Sequence, residues 1–159
     1  MIKDKSKVKE IDATDSAMIS LLQKDGRISN TEIGKKLGIS ESTVRLRLKR
    51  LIEEEFIQIV AVSNPFKLGF KLTGNIYIDV EMKKIHIVVE QLKALKELWY
   101  IILTTGTSNI NAEFIVKDQE ELHDLIYNRI SKIDGITKLE TSIIMKFEKR
   151  NYEYGTAVE

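Results

Sequence analysis

A chain of 159 residues with 43% hydrophobic content and a net charge of +1 has room for one ordinary domain or two small ones, and for a real core. It has no Cys, which excludes disulfides, thiolate catalysis and thiolate zinc sites, and its longest apolar run, Leu98–Leu103, is far too short to span a membrane. The charge is uneven: residues 1–52 carry 12 Lys+Arg against 7 Asp+Glu and the rest 13 against 17, so only the front is suited to a polyanion.

"MIKDKSKVKE" reads as a solvated tail with no signal peptide, and the expected location is the cytoplasm. "IDATDSAMISLLQKDG" reads as a helix capped by Asp12 or Thr14, with Met18, Ile19 and Leu22 on one face and Gly26 as its stop. A second, short helix opens at Ser29, with Glu32 completing a capping box, and buries Ile33 and Leu37. Gly38 ends it and permits a tight turn. Ser40 then caps "STVRLRLKRL", whose first half alternates like a strand. Val44, Leu48, Leu51 and Ile52 nevertheless stand at i, i+4, i+7 and i+8, so a helix over 41–55 explains the whole run. Ser42, Leu46, Lys49 and Arg50 face away from its core side, flanked by Arg45 and Arg47.

Three short helices with a glycine turn between the last two make a helix-turn-helix. Its basic third helix is the expected reader of a major groove. Ser42, Thr43, Arg45 and Arg47 supply donors for base edges and phosphates, with Ser40, Lys49 and Arg50 beside them. Lys35 and Lys36 on the second helix add phosphate contacts.

Beyond Glu55, "FIQIVAVS" reads as a hinge strand, broken at Asn64-Pro65, and "NPFKLGFKLTG" as a linker. "NIYIDVE" alternates as a strand. A helix follows around Lys84–Lys96, on Ile85, Val88, Val89, Leu92 and Leu95. "LWYIILTT" and "NAEFIVK" form a hairpin about "GTSNI". "DQEELHDLIYNRISKI" reads as a helix closed before Gly135, and "ETSIIMKFE" as the last strand. The order β-α-β-β-α-β is ferredoxin-like. The class is therefore α+β, with a winged helix-turn-helix domain over 1–63, a linker over 64–73 and a ferredoxin-like domain over 74–159. The uncovered sheet face, with Tyr77, Ser142, Ile144 and parts of "WYII", is too apolar to stay wet, which implies self-association.

The residues "ID..D...I..L..DGRIS..EIG..LGIS.STVR.R.KRL" at the front, with "TTG" at 104–106 and "GI....TSIIMK" at 135–146, resemble the Lrp/AsnC, or feast/famine, transcriptional regulators of bacteria and archaea, of the archaeal type. The resemblance runs from about Ile11 to Lys149. It implies a DNA-binding regulator that reads a palindromic operator in double-stranded DNA, forms homodimers that build octamers, and responds to a small-molecule effector, often an amino acid or related amine. It places the effector against the turn Gly106, Thr107, Ser108, Asn109 and the final-strand residues Leu139 and Thr141. Some positions depart from the family pattern. Gly34 stands where Ala is usual, which predicts a looser second helix. Glu55 stands near a usual Gly, Asn109 replaces a usual Asp, and Leu139 with Thr141 replaces a pair of Thr. An Asn lacks the charge-assisted bond of a carboxylate, so either the effector differs, or another group such as Asp79 or Glu113 serves, or the chain senses nothing.

No cofactor, metal or catalytic residue is expected. The chain has two His, His86 and His123, both on predicted helices, and no G-x-G-x-x-G, P-loop or H-E-x-x-H. The rival readings are an architectural DNA compactor without effector, and an enzyme like the tetrapyrrole decarboxylases that resemble this family.

Overall fold

The computed structural model describes residues 10–158; the expected solvated tail, but for Glu10, lies outside them. By contact the chain divides into two compact units, Met1–Ala61 with Lys149–Glu159, and Val62–Glu148. The segment after residue 148, expected to close the ferredoxin-like domain, thus goes with the first unit.

The first unit is built from three helices with locally encoded starts: α1 (Ala13–Lys24), α2 (Asn30–Leu37) and α3 (Glu41–Glu53). Asp12 caps α1 by accepting from Asp15 N at 2.8 Å, and the Asp15 carboxylate accepts from Asp12 N at 3.2 Å. This reciprocal pair satisfies two helix-end donors. Ser29 Oγ accepts from Glu32 N and Ser40 Oγ from Thr43 N, each a one-way cap; at Ser29 the expected capping box is reduced to this half, and the Glu32 carboxylate pairs with Lys36. Gly38 ends α2 in the left-handed region at φ 69°. Gly34 does more than loosen a helix: a Cβ there would lie 2.7 Å from the Ile39 carbonyl oxygen, so the bare backbone lets the turn pack against α2. Met18, Ile19, Ile33, Val44 and Leu51 form the buried core.

Ile52, expected on the buried face, is instead 43% exposed, because eight residues on a helix leave it roughly 80° round from Val44. The helix stops at Glu53 rather than Glu55. Phe56 N donates to Leu51 O and Glu55 N to Ile52 O, a Schellman arrangement with Glu55 left-handed at φ 61°. Glu55 thus performs the turn for which the family usually supplies glycine, at a steric cost glycine would not carry.

Residues 149–158 lie on α1. Gln23 Nε2 donates to Gly155 O at 3.2 Å, Gly155 N donates to Gln23 Oε1 at 2.9 Å, and the Ser16 hydroxyl bonds that of Thr156.

The expected strand over 56–63 does not form; the segment is irregular, with Ile59, Val60 and Val62 exposed. Its composition favours a strand, but an extended segment becomes one only when a neighbour accepts its backbone bonds. Asn64 then caps a 3₁₀ turn over Pro65–Leu68.

The second unit is a four-stranded antiparallel sheet in the order β2-β3-β1-β4, with β1 (Leu72–Val80), β2 (Leu98–Leu103), β3 (Ile110–Val116) and β4 (Ile136–Ile143). α4 (Ile85–Lys93) and α5 (Gln119–His123) complete the ferredoxin-like order. α4 is shorter than the expected Lys84–Lys96. α5 continues as a π turn over Asp124–Arg129 and a 3₁₀ turn over Ile130–Lys132, not as one regular helix. β1 starts three residues before the expected Asn75, inside the presumed linker, because Leu72 faces Val116 across the ladder. β4 starts at Ile136, not Glu140, because β1 pairs with it from Val80 to Gly74, and Ile144 N still donates to Thr73 O beyond that; Thr141 is a mid-strand residue, not a first one. Gly74 is required where these strands cross: a Cβ would lie 2.0 Å from Ser142 O and 2.8 Å from the Phe114 ring. Ile76, Ile78, Ile110, Ala112 and Phe114 turn to the helices and join Val88, Leu92 and Leu125 in the core. Asn75, Tyr77, Asp79, Asn111 and Glu113 alternate onto the other face.

Candidate nucleic-acid interface and effector turn

The exposed side of α3 is the first candidate. Val44 and Leu51 are fully buried, and Glu41, Ser42, Arg45, Leu46 and Lys49 lie on the solvent side. Arg45 pairs with Glu41, and Lys49 with Glu53 at 3.7 Å, both one helical turn away and exposed. Such pairs are worth about 0–1 kcal/mol, so either cation can exchange its carboxylate for a phosphate. Lys35 and Lys36 stand exposed on α2, Lys36 with Glu32 at 3.7 Å. Ser40 is occupied as the cap of α3; its hydroxyl also meets those of Ser42 at 2.8 Å and Thr43 at 2.7 Å.

Arg47 and Arg50 behave differently from the rest of the expected set. Asp15 is fully buried, and both guanidinium groups turn to it. Arg47 Nη1 lies 2.9 Å from Asp15 Oδ1 and 2.6 Å from Asp12 Oδ2, while Arg50 bonds Asp15 Oδ2. A buried carboxylate without a cation is costly, so the two arginines of α3 neutralise α1. The Asp15 N–H and the Arg47 guanidinium hold the Asp12 carboxyl below its usual range. Asp12 and then Asp15 push the Arg47 pKa up. Sequence reasoning passed over Asp12 and Asp15 as partners, although the Asp-x-x-Asp spacing of a capping box was on view; that the same carboxylates reach α3 depends on helix docking.

The second candidate is the turn between β2 and β3. Gly106 and Thr107 are exposed, and Ser108 is buried with its carbonyl accepting from Thr104 Oγ1 at 2.8 Å. Asn109 Oδ1 accepts from Val80 N at 2.9 Å, and Asn109 N donates to Ile78 O at 3.1 Å. The side chain therefore closes the end of β1, and only its amide NH₂ is left for another partner. Ile78 faces Ile110 on one side and Leu139 on the other, so β1 runs between the turn and Leu139. Two strand spacings, roughly 10 Å, separate them. Leu139 packs on the core and Thr141 is exposed. One chain therefore does not gather the six expected effector residues into one pocket.

His86 and His123 are exposed on helices, His123 against Tyr127. Among the described residues no group of three or more His, Cys, Asp or Glu is placed to hold a metal, and no helix is long and apolar enough to cross a membrane.

Comparison with known proteins bears on both candidates. A model of the AsnC-type helix-turn-helix domain matches residues 11–52, and one of the Lrp/AsnC ligand binding domain matches residues 75–154. An uncharacterized HTH-type transcriptional regulator of Pyrococcus horikoshii is 40% identical over 144 residues, covering 90% of this chain and 91% of its own. The HTH-type transcriptional regulator LrpA of the same organism is 40% identical over 137 residues, covering 86% and 97%. Among solved structures, E. coli AsnC superposes with a TM-score of 0.79 at 24% identity, over 89% of this chain and 97% of that one. A Neisseria meningitidis transcriptional regulator in complex with L-Met gives 0.80 at 19% identity, over 91% and 96%.

Proposed function

The chain belongs to the Lrp/AsnC family of transcriptional regulators, with a helix-turn-helix domain followed by a ligand-binding domain, and from that premise we propose that it binds double-stranded DNA through α3 and answers to a small-molecule effector. The observation that carries the DNA reading is the exposed face of α3, where Ser42, Arg45 and Lys49 stand on a capped helix that follows the left-handed Gly38. Lys35 and Lys36 add phosphate contacts from α2. Arg47 and Arg50 act indirectly, through Asp15.

One α3 reads only a few base pairs, so the functional unit is a homodimer on a palindromic operator, and dimers build towards an octamer. Supporting self-association, Trp99, Tyr100 and Leu103 are exposed on β2, and Asn111 Oδ1 is buried on the uncovered sheet face without a hydrogen-bond partner. The effector is an amino acid or related amine, a reading favoured by the L-Met complex of the Neisseria relative. It meets Gly106, Thr107 and the Asn109 amide of one subunit, with Thr141 coming from another, since β1 separates them within a chain. The protein works in the cytoplasm and by binding rather than catalysis.

The test is footprinting on random and genomic DNA across a salt series, with light scattering in parallel. Discrete protected palindromes, affinity falling steeply with salt, and a dimer or larger species are expected. Uniform coverage without sequence preference would indicate the architectural compactor instead, and absence of DNA binding would end the reading.

A further inference from the structure

Leu46 is 72% exposed, on a helix whose other exposed residues are polar or charged except Ile52, 43% exposed in the last turn. A single exposed leucine is ordinary; its position here is not. At about 100° per residue, Leu46 falls nearly opposite the buried pair Val44 and Leu51, at the centre of the outward face. Ser42 lies one turn before it and Lys49 one turn after, with Arg45 adjacent. Leu46 belongs to neither core cluster. Arg47 and Arg50, the cations that could fold over it, are held by Asp12 and Asp15. The most outward point of the basic helix is therefore an open apolar side chain.

A major groove offers donors and acceptors at its base edges and one apolar group, the C5-methyl of thymine. We propose that Leu46 is a specificity-determining residue that packs on a thymine methyl in each half-site. This rests on the reading that α3 enters the major groove, and it adds a base identity to that reading. Ser42, Arg45 and Lys49 fix register through polar contacts, and Leu46 selects T over C and over methyl-free bases at the position beneath it. Loss of one methyl contact removes about 0.8 kcal/mol of burial, or about four-fold in affinity.

The experiment uses DNA selected by the wild-type chain from a random-sequence pool. Each thymine of a half-site is replaced in turn by deoxyuridine, which lacks only the methyl. One position is expected to weaken wild-type binding about four-fold. Leu46→Ala should bind the thymine site that much more weakly, with an unchanged melting temperature, and should no longer distinguish thymine from uracil there. Replacing that base pair's thymine with 5-methylcytosine should retain part of the wild-type affinity that plain cytosine loses. Wild-type binding indifferent to every uracil substitution overturns the inference while leaving the DNA reading intact. So does methyl discrimination that survives Leu46→Ala, or an Leu46→Ala chain whose defect is a smaller oligomer in light scattering. If the wild-type chain selects no sequence at all, the underlying reading fails instead.

Discussion

Each unit buries a carboxylate against arginine, and the two cases differ in what the arginine is attached to. Asp15 on α1 draws in Arg47 and Arg50, both from the helix that carries the candidate DNA face. Glu97, between α4 and β2, meets Arg129 at 3.1 Å, and Arg129 also reaches Asp124 at 3.2 Å, all within the layer behind the sheet. Among the described residues the core of the first unit has five buried apolar residues and that of the second thirteen. A small core leaves helix orientation underdetermined, and a buried ion cluster supplies the direction that few apolar contacts cannot. The larger core needs no such help, and its weak point is close packing of backbone on backbone at Gly74.

The comparison breaks first at the sheet. Gly74→Ala puts a methyl into the Ser142 carbonyl, so β4 must leave β1, and a loss of about 4 kcal/mol or more is expected. Trp99 belongs to the second unit, so its fluorescence during urea denaturation reads this directly. Unchanged stability would mean that the two strands are less tightly crossed than Gly74 requires.

Asp15→Asn keeps the shape and leaves Arg47 and Arg50 without a buried anion. About 3 kcal/mol is expected, reported by far-UV circular dichroism of the helical unit, with Glu97→Gln costing less because its arginine keeps Asp124. Equal losses at the two sites would erase the contrast. The same cluster carries a pH dependence. Asp12 titrates below its usual value in the folded chain, so its contribution is present above the ordinary carboxylate pKa of about 4 and is lost as pH falls through the folded pKa. Acid titration of helical signal should show this loss, and Asp12→Asn should flatten it.

Asn109→Ala deprives Val80 N of its acceptor and should cost about 1 kcal/mol whether or not an effector is present. If calorimetry with amino acids shows a ligand effect without that stability loss, Asn109 serves the effector alone. The smallest change has the opposite sign: Glu55→Gly relieves a left-handed residue and should stabilise the first unit by about 0.5–1 kcal/mol.

The helical unit was readable from the chain because its signals are local. Ser29, Gly38 and Ser40 each act within four residues. The sheet order was readable too, from alternation and spacing, but strand ends were not. Leu72 and Ile136 belong to strands because of residues more than forty positions away on β3 or β1, and nothing near them says so. The segment 56–63 has the composition of a strand and lacks the partner. Among site residues, Ser42, Arg45 and Lys49 face out as helical phase requires. Arg50, which helical phase sets on the outward face, and Arg47, which flanks it, turn instead to the buried Asp15. Asn109 is a ligand contact only by the family resemblance; the residues of the turn by themselves read equally as a polar hairpin. Its bond to Val80 becomes visible only once β3 is laid against β1.

The contacts of Gly155 and Thr156 with α1 close loops of 132 and 140 positions, around the whole second unit. Helical hairpins with local contacts form in microseconds to milliseconds, whereas synthesis adds about 5–20 residues per second. The three helices therefore emerge and dock roughly ten seconds before the residues that strap α1 exist. During that interval Ser16 and Gln23 are solvated, and α3 is held by its buried Val44 and Leu51 and by Arg47 and Arg50 on Asp12 and Asp15. The last hydrogen bonds made are therefore those that fasten the end of the chain to α1, after α1 has already docked on α2 and α3.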